Sequence, residues 1–274
     1  MLENELTPIE KRGNLFIKRE DYFKIGDMCG AKLRACYILS KQAKELGYKT
    51  ITTLGAKSSP QINLATTVGN ELGLNVVGHT TTAPLEKDML LAKQKGATII
   101  QHSYGYTSVL IKRTKDYAKE NNAFYIPFGM DDIVSINATK EQVKSINPYK
   151  NEIKRIVVPL GSGINLCGII LGLKEMKIDI PVVGVQIGFK PDKILEKYLG
   201  KNWQQMFTKV NALQDYNKSA KYTIINGVEV DSTYEGKCIP FLREGDLFWL
   251  VGKKSNYKKG KEMVIWQEKK NETI

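Results

Sequence analysis

Apolar and polar positions along this chain fall into two alternating patterns. Compact apolar and β-branched runs occur at Thr50–Leu54, Asn75–Gly78, Ala97–Gln101, Ala123–Phe128, Arg155–Leu160, Pro181–Gln186 and Leu247–Val251. Between them lie stretches with the helical period, at Gln61–Leu72, Glu86–Lys95, Ser108–Glu120, Asn165–Lys177 and Lys190–Leu199. Strand followed by helix, repeated, predicts parallel sheet with crossover helices. The polar, mixed segment Met130–Lys150 is broken by Asp131-Asp132 and Asn147-Pro148, and reads as a domain joint. Gln204–Ala220 is irregular and polar and reads as a surface excursion.

Such a pattern fixes no function by itself. It does say where to look, because ligands of α/β sheets gather at the C-terminal ends of strands, where helix N-termini point. Three of those junctions, a glycine-led helix start and the composition narrow the choice.

With 274 residues the chain can bury one large core or two modest ones. No apolar run is long enough to span a bilayer, and the polar, acidic N-terminus does not read as a signal peptide. Cys29, Cys36, Cys167 and Cys238 are scattered, which fits neither a disulfide framework nor a zinc site. A cytoplasmic protein is expected. His79 and His102 are the only histidines, so proton transfer falls to Lys, Tyr, Ser or carboxylates, and no metal is expected. The net charge of +12 reads either as solvated lysine or as attraction to an anion: a phosphorylated cofactor, an acidic substrate or a nucleic acid.

At the first junction, Ser58-Ser59-Pro60 follows a strand, with Ser59 suited to cap a helix that Pro60 begins. Beyond capping, Ser58 and the N–H groups behind it could receive a carboxylate. The second is Gly161-Ser162-Gly163-Ile164-Asn165, a plain glycine turn or a phosphate cradle at a helix N-terminus. It has neither the nucleoside-triphosphate nor the dinucleotide spacing. At the helix start, Lys32 follows Gly30 among apolar neighbours, where a dry pocket would let its amine form a Schiff base. The last is Tyr234-Glu235-Gly236-Lys237, which also reads as an ordinary helix start capped by Asp231 or Ser232.

Taken in order, these motifs resemble the fold-type II pyridoxal-phosphate enzymes, nearest the 1-aminocyclopropane-1-carboxylate deaminase and D-cysteine desulfhydrase branch. Lys18-Arg19-Glu20-Asp21 matches the family's opening KRED strand. Gly30, Lys32 and Arg34 match its Schiff-base turn, Ser58 its substrate serine, and Gly161, Ser162 and Gly168 its phosphate loop. Asp231, Tyr234, Glu235, Gly236 and Lys237 match the deaminases' D-x-x-Y-E-G-K. The sequence departs at Ser59 and Ala31, where the family has asparagine, and at Leu250-Val251-Gly252-Lys253 in place of His-Thr-Gly-Gly.

The resemblance implies two open, twisted, mainly parallel sheets with flanking helices and the cofactor between two domains. The large domain would be residues 1–34 and 146–274, the small one residues 35–145. Pyridoxal 5′-phosphate would be bound by Lys32, Ser59, Gly161, Ser162, Gly163, Ile164, Asn165 and Glu235. Lys32, Tyr234 and Ser58 would be catalytic in deaminase or lyase chemistry at an amino acid's α-carbon. A homodimer acting on a small-molecule amino acid, away from membranes, is expected. The alternatives are an amino acid attached to a nucleotide or nucleic acid, or a relative that binds without catalysis.

Overall fold

The computed structural model describes residues 5–56, 59–188, 190–252 and 260–264. The chain opens with β1 (Ile9–Arg12), β2 (Leu15–Arg19), β3 (Lys24–Ile25) and β4 (Met28–Cys29). Then come α1 (Ala31–Glu45), β5 (Thr50–Leu54), α2 (Gln61–Leu72), β6 (Asn75–Thr81), α3 (Lys87–Gln94), β7 (Thr98–His102), α4 (Thr107–Glu120) and β8 (Phe124–Tyr125). Next are α5 (Ile133–Gln142), β9 (Arg155–Leu160), α6 (Ile164–Glu175), β10 (Val182–Gln186), α7 (Asp192–Leu199) and β11 (Thr208–Asn211). The last are β12 (Tyr222–Ile225), β13 (Val228–Glu229), α8 (Glu235–Cys238), β14 (Asp246–Leu250) and β15 (Lys261–Met263).

The chain is mixed α/β with mainly parallel sheets. Its described residues divide into two compact units: one of residue 5 with residues 23–138, the other of residues 6–22, 139–252 and 260–264. The change of unit falls inside α5. Residues 23–34, with Lys32, pack in the first unit, whereas the sequence expectation grouped them with the larger domain. The reason is that α1 packs on α2 and shares its core, through Leu33, Cys36 and Leu39.

The first unit is built on a four-stranded parallel sheet, β7-β6-β5-β8. Helix α2 covers it with Ile62, Ala65 and Val68 and ends on Gly73 in the left-handed conformation. The buried Gln61 braces the loop beyond β8. Its Nε2 donates to Thr53 Oγ1 and the Pro127 carbonyl, both at 2.9 Å, and its Oε1 accepts from Gly129 N–H at 2.8 Å. That brace is one reason β8 is only two residues long where the pattern predicts Ala123–Phe128.

The second unit carries a six-stranded sheet, β1-β2-β14-β9-β10-β11, antiparallel only between β1 and β2. Its inner strands β2, β14, β9 and β10 are buried almost throughout, as strands covered on both faces must be. Gln204–Ala220, expected as an irregular excursion, instead contains β11, which pairs with β10 from Val183↔Thr208 to Gln186↔Asn211. The four-residue strand is polar and mostly exposed, so alternation could not reveal it. Lys18, inside β2, is fully buried; its Nζ donates to the Thr7 carbonyl at 2.6 Å and Gln142 Oε1 at 3.0 Å. The KRED strand is thus a structural tie in this unit. A three-stranded sheet, β13-β12-β15, completes it.

Among the described residues no helix is long and apolar enough to cross a membrane. Nor does any group of three or more His, Cys, Asp or Glu there suit a metal ion.

The two histidines meet in the first unit. His79 Nδ1 on β6 lies 2.8 Å from His102 Nε2 on β7, with the rings stacked 5.1 Å apart. Tyr117 of α4 stands edge-on to His79, whose Nε2 is buried without a hydrogen-bond partner among the described residues. Burial, then the neighbouring His102, holds His79 down to about 4. The unfolded chain therefore binds a proton near pH 6.5 that the folded one refuses until about pH 4. Stability is present above pH 6.5 and should fall by about 2–3 kcal/mol as pH drops through that window. Urea unfolding across the window should give a shallower slope for His79→Leu; identical slopes would contradict this account.

Candidate active site

The residues singled out in the sequence lie in two sets. In the first unit, Gly30 precedes α1 with φ 107°, a left-handed value that favours glycine. Lys32 follows in the first turn. Successive helical positions turn by about 100°. Ala31, Leu33 and Arg34 are therefore buried while Lys32 is exposed. Ser58 lies outside the described residues. Ser59 sits one residue further from α2 than the capping pattern predicts, since Pro60 takes the cap position. Its hydroxyl still accepts the Gln61 N–H, at 3.3 Å.

In the second unit, β9 ends at Leu160 and the Gly161–Asn165 turn leads into α6. Gly163 adopts φ 97° and closes the first helical turn by accepting from Cys167 N–H. The first N–H groups of any helix lack intrahelical partners, so this turn is a natural anion seat. Thr139 holds Asn165 from the side, Oγ1 to Oδ1 at 3.2 Å. A Cβ on Gly161 would stand 3.1 Å from Tyr234 Cε1, so the turn and the tyrosine ring are in direct contact.

Asp231 shapes the start of α8, its Oδ1 accepting the N–H groups of Thr233 (2.7 Å) and Tyr234 (3.0 Å). Glu235 is 1% exposed. Its Oε1 accepts the N–H groups of Val251 (2.8 Å) and Gly252 (3.0 Å), just beyond β14. Its Oε2 is buried with no hydrogen-bond partner among the described residues. Burial, then the Asp231 carboxylate, pushes the Glu235 carboxyl well above the usual range. Tyr234 is raised too, by burial and then by Tyr216, whose hydroxyl lies 3.4 Å from its own.

Tyr216 was not visible as a site residue in the sequence, because it sits in a stretch with neither periodicity nor motif. Nor did the sequence indicate that the Val251 and Gly252 N–H groups hold Glu235. Lys253, the last position of the family's C-terminal motif, lies outside the described residues.

The sequence profile described as "Pyridoxal-phosphate dependent enzyme" matches residues 4–235. The chain belongs to that family. Its cofactor is pyridoxal 5′-phosphate, and it has the fold-type II architecture. The crystal structure of an ACC deaminase homologue superposes with TM-score 0.76 at 24% identity, over 90% of this chain and 89% of that one. A processed threonine deaminase isoform 2 from Solanum lycopersicum gives TM-score 0.66 at 16% identity, over 94% and 80%. An O-ureido-L-serine synthase gives 0.65 at 12%, over 89% and 87%. At these identities the likeness is one of fold. No protein with a curated description matches the sequence.

The second unit fits the cofactor's chemistry. A buried carboxylate with one oxygen bonded and the other orphaned calls for a donor or cation, which a protonated pyridine nitrogen is. Without that partner Glu235 is stabilising only when neutral. Its folded-state pKa is raised, so its contribution is full below the unfolded value near 4.3 and is lost as pH rises. In cofactor-free protein, Glu235→Gln should therefore gain on the wild type as pH rises above about 4.3, by at most about 1.4 kcal/mol per unit. Paired urea titrations from pH 4 to 7 check this; a pH-independent difference would refute it.

Proposed function

We propose that the protein catalyses deaminase or lyase chemistry at the α-carbon of an amino acid, with Lys32 as the residue that carries the cofactor. The single observation behind this reading is the buried Glu235 with its orphan oxygen. When bound, pyridoxal 5′-phosphate supplies an electron sink for negative charge at the α-carbon. A hydroxyl opposite the ring nitrogen would leave that sink weak; a carboxylate strengthens it by keeping the nitrogen protonated.

The chain's own residues divide the remaining work. The N–H groups of Gly161-Ser162-Gly163-Ile164-Asn165 hold the phosphate, with the helix dipole of α6 behind them. Glu235 Oε2 would accept a hydrogen bond from the protonated ring nitrogen, while Val251 and Gly252 hold Oε1 in place. Lys32 Nζ would hold the cofactor's aldehyde carbon and would serve as the general base for the α-proton. Tyr234 would act as an acid/base or nucleophile over the reacting carbon, and burial keeps its hydroxyl protonated at neutral pH until a base withdraws the proton. Ser58 receives the substrate carboxylate, and Ser59 is the hydroxyl nearest the start of α2 for the cofactor's ring oxygen.

A second reading keeps this chemistry on an amino acid joined to a larger anion such as a nucleotide. It is favoured by Tyr104 and Tyr106, 90% and 85% exposed beyond β7, followed on α4 by Lys112, Arg113 and Lys115. Exposed aromatic faces and cationic side chains suit bases and phosphates. Oligonucleotide binding that weakens steeply with salt would support it.

Borohydride reduction of the loaded protein followed by mass spectrometry should place the label on Lys32 and on no other lysine. Label elsewhere would remove Lys32 from its role. Glu235→Gln should retain the cofactor, held by phosphate and lysine, yet turn over amino acid at least about tenfold more slowly. Unchanged turnover would defeat the electron-sink assignment and with it the deaminase-type reading.

A further inference from the structure

Tyr216 follows β11 in an irregular stretch where Leu213 is 76% exposed and Asp215 is exposed as well. No regular backbone pairing covers this stretch, yet the ring is held from three sides. Gly188, beyond β10, lies so close that a Cβ there would stand 2.9 Å from Tyr216 Cδ2. The Tyr234 ring meets it edge-on, with centroids 6.0 Å apart. Lys237, only 3% exposed, reaches across from α8. Its Nζ donates to the carbonyls of Asp215 at 2.6 Å and Tyr216 at 3.0 Å, and stands 5.8 Å from the Tyr216 ring centroid.

Tyr234 stands immediately before α8 and Lys237 lies within it, so one short segment carries both the Tyr234 phenol and the ammonium that fastens its partner. An ammonium taken out of water costs free energy that its hydrogen bonds must offset, and an apolar side chain of similar volume often serves stability as well. What the lysine adds is direction: two fixed bonds to two consecutive carbonyls.

We propose that Lys237 is a positioning residue for the tyrosine pair, clamping the Asp215 and Tyr216 carbonyls so that the Tyr216 hydroxyl is presented to that of Tyr234. It acts through Tyr216 and needs no contact with substrate. Its catalytic consequence rests on the role given above to Tyr234; the clamp itself does not.

A double-mutant cycle tests it, with Lys237→Met, Tyr216→Phe, the double variant and Lys237→Arg in the full chain loaded with cofactor. Lys237→Met should lower kcat about tenfold with KM within about twofold. In the Tyr216→Phe background the same change should cost less than about twofold, because the residue it acts through is already altered. Lys237→Arg, which keeps a donor, should recover most of kcat. A second arm needs no turnover. Near-ultraviolet circular dichroism, with and without cofactor, should lose in Lys237→Met the tyrosine band that Tyr216→Phe loses, while the far-ultraviolet spectrum stays unchanged. A full kcat loss persisting in the Tyr216→Phe background, or an unaltered tyrosine band, overturns the proposal. Absence of turnover on every amino acid would sink the proposed function and leave the spectroscopic arm to decide this one. If Lys237→Met fails to fold, Lys237→Gln takes its place in both arms with the same outcomes.

Discussion

Parallel strand pairing is the constraint on which the rest of this molecule depends. A parallel strand cannot be reached by a tight hairpin, so each must be entered by a crossover that lies on the sheet's face. Each sheet is thereby covered by helices, and the loops leaving its strands collect along one edge. In the second unit that edge carries Gly161 after β9, Gly188 after β10 and Val251-Gly252 after β14. Their order in the sheet, β14-β9-β10, is what lets residues far apart in sequence form one surface.

Burial of charge is the second theme of that unit. Lys18, Glu235 and Lys237 are each at most 3% exposed, and each is bonded to backbone groups or amides. For Lys18 the bonds tie β2 to the segments at Thr7 and Gln142, and the Trp249 ring beneath adds a cation–π contact. Glu235 differs, since half of its carboxylate is left without a partner among the described residues. A fold tolerates such a group where the bound state supplies what the protein withholds. That asymmetry separates Glu235 from the structural ions around it.

The short α8 and the residues that lead into it gather several of these demands. Asp231 fixes its start, Tyr234 rests on a glycine at the end of β9, Glu235 faces inward and Lys237 reaches the irregular stretch after β11. Gly236 has no room for a side chain, since a Cβ would stand 2.5 Å from the Tyr222 carbonyl oxygen. The Y-E-G-K order is therefore a packing requirement as well as a chemical one.

The sequence alone determined the α/β class, the parallel pairing, and the bounds of β5, β9 and α2, because apolar periodicity is a local property of each segment. It also carried the cofactor, through motifs whose order survives in one dimension. The strand in Gln204–Ala220, the packing of α1 with the first unit and the outward direction of Lys32 came only with the tertiary structure. So did the nearness of Tyr216 to Tyr234, and the grip of Val251 and Gly252 on Glu235. Each depends on the path of an irregular connection or on which helix face meets a core. Such paths are set by burial and hydrogen bonding between distant segments, and those leave no period in the chain.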